Sequence, residues 1–319
     1  MSPIGKSHEK VHYEFRPAKQ VERRMLLHAL QELRDLGYSI SNYEYTGLGS
    51  IYFVDFALFH RYLGLTRMTS VEGDRDIEKR VDFNCPYKLI NVVHDDMSAQ
   101  ISRLSSERRH ILWLDFDSIL TEDLLDTVQL ATAQLSVRSI LLITVDVEPP
   151  GRPEDGLTKW NPTTWMRHYR EEAGAHFWHG ISRRDFARDA LPKTNARILQ
   201  AVIDEGLRER DATFIGMFSF LYADGHRMLS VGGMIGGEED ERRIRSLNRK
   251  DLFFMRDNIT DEPFLIRVPL VTRRERHYLD HNMPCRKNWS PSAFEMKSAD
   301  VKDYSAIYRY YPGYTEMLL

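Results

Sequence analysis

The stretch Tyr45-Thr46-Gly47-Leu48-Gly49-Ser50 decides how the rest of the chain is read. It stands between an apolar run, residues 39–45, and a helical pattern, residues 51–63, with Tyr52, Phe56, Phe59 and Leu63 on one face. A strand that turns through Gly-x-Gly into a helix brings its backbone close to a bound ligand, because glycine has no Cβ in the way. Working outward, the same strand-then-helix alternation repeats. Strands are expected at 67–72, 89–94, 110–115 and 139–147, and helices at 74–82, 97–104 and 122–135. Five such repeats predict a doubly wound, mostly parallel α/β sheet. The strands are apolar runs bounded by charge, as expected when helices cover both faces.

Upstream, Pro17 suits a first helical turn and Gly37 a helix C-terminus. Between them Val21, Met25, Leu26, Ala29, Leu30 and Leu33 fall at helical spacing. Downstream, Glu148-Pro149-Pro150-Gly151-Arg152-Pro153 breaks the alternation. A helical insertion carrying Trp160, Trp165, Tyr169, Phe177 and Trp178 is expected over about 152–206. These aromatics fit core packing, and a lid or base-stacking role is the sharper alternative. Two strands, 212–222 and 227–233, flank Ala223-Asp224-Gly225-His226 and predict an antiparallel hairpin in which both central residues take positive φ. The sheet is therefore expected to have seven strands, and the C-terminal region holds one further plausible strand, residues 264–268. The expected layout is an N-terminal arm and helix (1–37), a core domain (38–240) and a C-terminal extension packed on it (241–319).

Candidate ligand contacts gather at the carboxyl ends of the expected strands, where such sheets bind ligands. They are Thr46, Gly47 and Gly49 after the first strand, Glu72 after the second, Asp95 and Asp96 after the third, and Asp115 and Asp117 after the fourth. Glu72 lies 23 residues beyond Gly49, a spacing at which an acid can accept two hydrogen bonds from a ribose diol. One of Asp95 and Asp96 also suits the N-cap of the helix at Met97. A dinucleotide fingerprint would place glycine at position 52, where Tyr52 stands, and no Gly-Lys-Ser/Thr phosphate loop occurs. The ligand is expected to carry ribose and base without pyrophosphate.

This pattern resembles the class I S-adenosylmethionine-dependent methyltransferases, loosely their O-methyltransferase-like members, over about residues 38–236. The resemblance implies that Gly47 and Gly49 cradle the methionine part of S-adenosylmethionine, Glu72 holds the ribose and Asp95 or Asp96 contacts the adenine. Asp115 and Asp117 then face the transferred methyl. The family usually has an acid two residues before the first glycine; here that residue is Tyr45, with Glu44 one position earlier. The Asp-Phe-Asp-Ser run at 115–118 lacks the Asn/Asp-Pro-Pro-aromatic form used for amino groups on bases, which speaks against a base N-methyltransferase; an oxygen acceptor is expected. Mg²⁺ held by Asp115, Asp117 and Asp95 or Asp96 is a further option.

Composition sets the outer limits. The 319 residues carry 44 Lys and Arg against 47 Asp and Glu, a net charge of −3. A wholly basic nucleic-acid protein is excluded, but two local clusters remain: Arg16, Lys19, Arg23 and Arg24, and Arg273-Arg274-Glu275-Arg276-His277. Each reads as a solvated helix face or as a contact for an anionic partner such as nucleic acid, which makes a nucleic-acid-associated module the alternative reading. No apolar run is long enough to span a membrane, and the N-terminus lacks a signal-peptide core. Two cysteines, Cys85 and Cys285, make no disulfide framework. A cytoplasmic location is expected.

Overall fold

A computed structural model describes residues 15–149, 161–177 and 180–313. Eight strands form one sheet: β1 Glu44–Leu48, β2 Arg67–Val71, β3 Ile90–Val93, β4 His110–Asp115, β5 Ile140–Asp146, β6 Thr213–Ala223, β7 Arg227–Gly236 and β8 Phe264–Leu265. Their order is β3-β2-β1-β4-β5-β7-β6-β8. The first five are parallel, β7 runs antiparallel to β5 and β6, and β8 is parallel to β6. The expected seven strands thus become eight, because Phe264 and Leu265 from the C-terminal region pair with Phe220 and Leu221. The direction of winding reverses between β1 and β4, which opens a crevice at their carboxyl ends.

Alternation along the strands sorts the core into two layers. Ile111 and Trp113 face one way, with Tyr45, Leu142 and Phe218. Leu112 and Leu114 face the other, with Leu141, Ile143 and Val231. The first layer is covered by α1 (Pro17–Asp35), α2 (Val54–Leu63) and side chains of the C-terminal region such as Phe254, Leu279 and Tyr304. The short helix α3 (Glu78–Asn84) adds Val81 to it. The second is covered by α4 (Met97–Ile101), α5 (Glu122–Gln134), α6 (Pro162–Ala173) and α7 (Leu191–Leu207). The helix α7 packs along α5, so the C-terminal part of the expected insertion joins the regular layers. Trp165, Tyr169 and Phe177 are buried in that layer. They are core residues and form no lid, while Trp160 and Trp178 lie outside the described residues. Helices α8 (Glu238–Arg245), α9 (Arg273–His281) and α10 (Ser298–Ile307) complete the described α-helices.

Two local corrections bear on function. The first strand starts at Glu44, five residues later than expected, because Ile40–Asn42 forms a 3₁₀ turn. Gly47 is therefore inside β1, paired with Ser70 and Trp113, and the ligand-edge turn begins at Gly49. The second concerns the β6–β7 hairpin. Gly225 has φ +111°, whereas Asp224 has no positive φ. The loop is three residues long, closed by the Ala223–Arg227 pair.

Asp224 is used differently. No side chain caps α1 locally, and its N-cap residue is Arg16. Instead the Asp224 carboxylate accepts hydrogen bonds from the backbone N–H groups of Ala18, at 3.0 Å, and Lys19, at 2.9 Å. It satisfies two of the orphan donors at the positive end of the helix dipole. Asp224→Ala is expected to lower stability by about 1 kcal/mol, the usual worth of an N-cap. Urea unfolding of the two proteins checks this through the shift in midpoint.

Candidate active site

Asp115 ends β4 on the face shared by Ile111 and Trp113, which is the face that α1 covers. Lys19, in the first turn of α1, therefore arrives beside it. Its ammonium is fully buried and lies 2.8 Å from Asp115 Oδ1, 2.9 Å from Glu22 Oε2 and 3.1 Å from the Tyr222 hydroxyl. It also sits 4.5 Å from the Trp113 ring centre. Thr144, the register partner of Asp115 on β5, extends the network: its hydroxyl meets Trp113 Nε1 at 3.1 Å and Ser230 Oγ at 2.8 Å. Burial works against the charged ammonium, but the two carboxylates override it and raise the Lys19 pKa. Burial likewise works to raise the Asp115 carboxyl; the Lys19 ammonium, aided by Arg23 and Arg16, outweighs it and holds the pKa below the ordinary range.

The basic cluster read from 16–24 is thereby corrected. Lys19 and Arg23 are buried at 0% and 3% exposure, and Arg16 is half-buried. Arg24 donates to the Tyr311 carbonyl at 2.8 Å. They do not form a solvated face for nucleic acid. In the second cluster Arg273 and Arg274 are exposed, but Arg276 turns inward over the Tyr311 ring and donates to the Pro312 carbonyl.

A cavity of about 60 Å³ opens at the β1/β4 crevice, with Arg23, Tyr45, Gly49, Ser50, Asp55 and Asp115 among its lining residues. Gly49 is pressed against the second strand. A Cβ there would stand 2.9 Å from Glu72 Cβ and 2.9 Å from the Val71 carbonyl oxygen, so only glycine permits this approach. Gly49 thus joins Glu72 on one side to the cavity and Asp115 on the other. Gly47 does something else: a Cβ at that position would meet the Tyr45 hydroxyl at 2.6 Å. Tyr45 is fully buried and its hydroxyl donates to Asp55 Oδ2 at the start of α2. Burial raises the pKa of both groups. The turn closes at Phe53, whose φ of 46° is left-handed.

The remaining expected residues fall as follows. Thr46 is buried within β1. Glu72 follows β2 directly; its Oε1 accepts from the Asp74 N–H at 2.8 Å, and its own N–H donates to Val93. Asp96 is the N-cap of α4, accepting from the N–H and hydroxyl of Ser98. Asp95 accepts from the Asp96 N–H and pairs with Arg103 at 2.8 Å, contacts that lower its pKa. Its backbone lies near Gly73, so the loops after β2 and β3 are neighbours. Asp117 is exposed, because β4 ends at Asp115 and the two acids no longer share a strand face. Glu44 sits at the opposite end of β1, paired with Arg108 at 3.2 Å, so the offset acid lies away from the ligand edge.

Among the described residues no three His, Cys, Asp or Glu side chains are grouped as metal ligands, so the Mg²⁺ option has no donor set there. The sequence reading did not place Arg23 or Asp55 at this cavity. A signal was present for the first: Lys19, Glu22 and Arg23 continue the helical stripe of Leu26, Leu30 and Leu33, which places their charges on the buried face.

A family model described as "Putative O-methyltransferase" matches residues 11–319. The chain belongs to this family. No curated protein matches it in sequence. Among solved structures it is similar to Trm1 from Pyrococcus horikoshii in complex with S-adenosyl-L-methionine, at 15% identity and TM-score 0.46, covering 76% of this chain and 60% of that one. It therefore spans less than two thirds of that protein. It is also similar to the fibrillarin pre-rRNA processing protein of Methanococcus jannaschii, at 7% identity and TM-score 0.35, covering 63% and 70%. A third is an O-methyltransferase family protein from Burkholderia thailandensis, at 11% identity and TM-score 0.35, covering 61% and 52%. No helix among the described residues is long and apolar enough to cross a membrane.

Proposed function

We propose that this member of the family transfers a methyl group from S-adenosylmethionine to an oxygen atom of its acceptor. The observation that carries the reading is the junction at Gly49, where the turn after β1, the acid after β2 and the cavity walled by Asp115 meet. In this reading Glu72 holds the ribose diol, the Gly49–Ser50 turn and Thr46 border the methionine side, and the Asp95–Asp96 loop borders the adenine. Asp115, rather than the exposed Asp117, faces the reacting end. The family description and the absence of an Asn/Asp-Pro-Pro-aromatic run after β4 support oxygen as the acceptor atom.

The residues present fit the cofactor on two counts. Gly49 leaves no Cβ between turn and ligand edge, and the buried Arg23 guanidinium has Nε and Nη1 without a hydrogen-bond partner beside the cavity. When bound, S-adenosylmethionine supplies a methyl group already activated on sulfur. The chain's own task is alignment. Asp115 is held ionised by Lys19, and its side chain, 28% exposed, offers a permanent hydrogen-bond acceptor at the cavity wall.

Titration calorimetry with S-adenosylhomocysteine tests the reading. The wild type is expected to bind, and Glu72→Ala to lose roughly ten- to a hundredfold in affinity, the worth of hydrogen bonds to an ionised acid. A folded wild type that takes up no S-adenosylhomocysteine at high micromolar concentration sinks it. For the acceptor atom, ¹³C-methyl transferred in cell extract is read by its chemical shift, and an N-methyl product overturns the oxygen assignment.

A further inference from the structure

Arg23 is a buried charged residue of α1 that makes no ion pair within the network around Lys19. Its side chain is 97% buried by the complement of its 3% exposure, yet Nε and Nη1 have no hydrogen-bond partner. Leaving a guanidinium buried with donors unmet is costly, so such a group marks a place where a ligand completes the structure. The cavity it lines holds carboxylates of its own, Asp55 and Asp115. Neither forms an ion pair with Arg23, and Asp115 is already bound to Lys19. The side chain thus lines the cavity while two of its buried donors remain without a hydrogen-bond partner.

From these observations we infer that Arg23 is the anchor for the α-carboxylate of the amino-acid end of the cofactor. The inference rests on the methyltransferase reading above and adds to it a residue from outside the sheet. Size and direction both fit. With the ribose at Glu72, the opposite end of the ligand crosses the Gly49 turn into the cavity. At about 60 Å³ that space takes a small head group and not a second ring system. A planar carboxylate matches the fork of guanidinium donors, whereas a neutral head group leaves them unmet. Asp55 and Asp115, on the same walls, provide the opposite sign for an α-ammonium group. Arg23 is accordingly a positioning residue: it fixes the far end of the cofactor and so the placement of sulfur relative to Asp115.

The test compares two ligands that differ only in the carboxylate. S-adenosylhomocysteine and its decarboxylated form, which keeps the amine, are titrated calorimetrically into the full chain and into Arg23→Gln. The wild type is expected to prefer the carboxylate form by at least roughly tenfold, and Arg23→Gln to bind the two within about twofold. Preference below twofold in the wild type overturns the assignment without any variant having to fold. So does an Arg23→Gln protein that loses affinity for both ligands equally, since that is the mark of a merely structural residue. If the wild type binds neither ligand, the methyltransferase reading itself fails, and this inference with it.

Discussion

Lys19→Met is expected to destabilise the protein by about 3–5 kcal/mol, the usual cost of removing one partner from a buried ionic cluster. The substitution keeps the length and apolar volume of the side chain and deletes only the ammonium. Two carboxylates then lose their counter-charge: Glu22, with no exposure, and Asp115. The Tyr222 and Thr144 hydroxyls lose a donor as well. Guanidinium chloride unfolding is the measurement, with the whole effect in the midpoint. The double variant Lys19→Met, Glu22→Gln is expected to recover part of the loss, because it removes one of the two stranded charges. An equal loss in single and double variants would mean that Lys19 acts through packing against Trp113 rather than through charge.

The same residue shows why the sequence was legible in one respect and not in another. The repeating apolar runs located β2, β4, β5 and the β6–β7 hairpin within a residue or a few, because strands covered on both faces are written as apolar blocks bounded by charge. The positions of the candidate acids Glu72 and Asp115 at the strand ends followed, since each directly ends or follows such a block. The arm residues did not follow. A basic run beside a proline looks the same whether its lysine is solvated or buried, and only the sheet face presented by Asp115 and Tyr222 decides between them. The start of β1 was misplaced for a related reason. Gly47 looks like turn chemistry, but its missing Cβ makes room for the Tyr45 side chain two residues earlier on the same face. The Tyr45 hydroxyl in turn reaches Asp55, a carboxylate brought to the cavity by α2.

Gly49→Ala is the second substitution with a large expected effect, and it acts on binding. The new Cβ would stand 2.9 Å from a backbone oxygen and 2.9 Å from Glu72 Cβ. Neither neighbour is the far end of a flexible side chain, so the turn itself must move. Relieving such an overlap costs typically 1–3 kcal/mol. If the strain is relieved by lifting the turn off Glu72, the loss appears as roughly ten- to a hundredfold weaker binding of S-adenosylhomocysteine. Gly47→Ala serves as the comparison, since its Cβ meets the Tyr45 side chain. Unchanged affinity in a folded Gly49→Ala protein would remove Gly49 from the site.

The bond from Asp224 to the start of α1 joins residues 206 and 205 positions apart. During synthesis, then, the helix that carries Lys19 and Arg23 leaves the ribosome long before the acid that secures its first turn. Until the β6–β7 hairpin has formed, the wall of the cavity contributed by Arg23 has no fixed anchor at its N-terminal end. A truncated product ending before Asp224 would lack both side-chain acceptors for the first turn of α1.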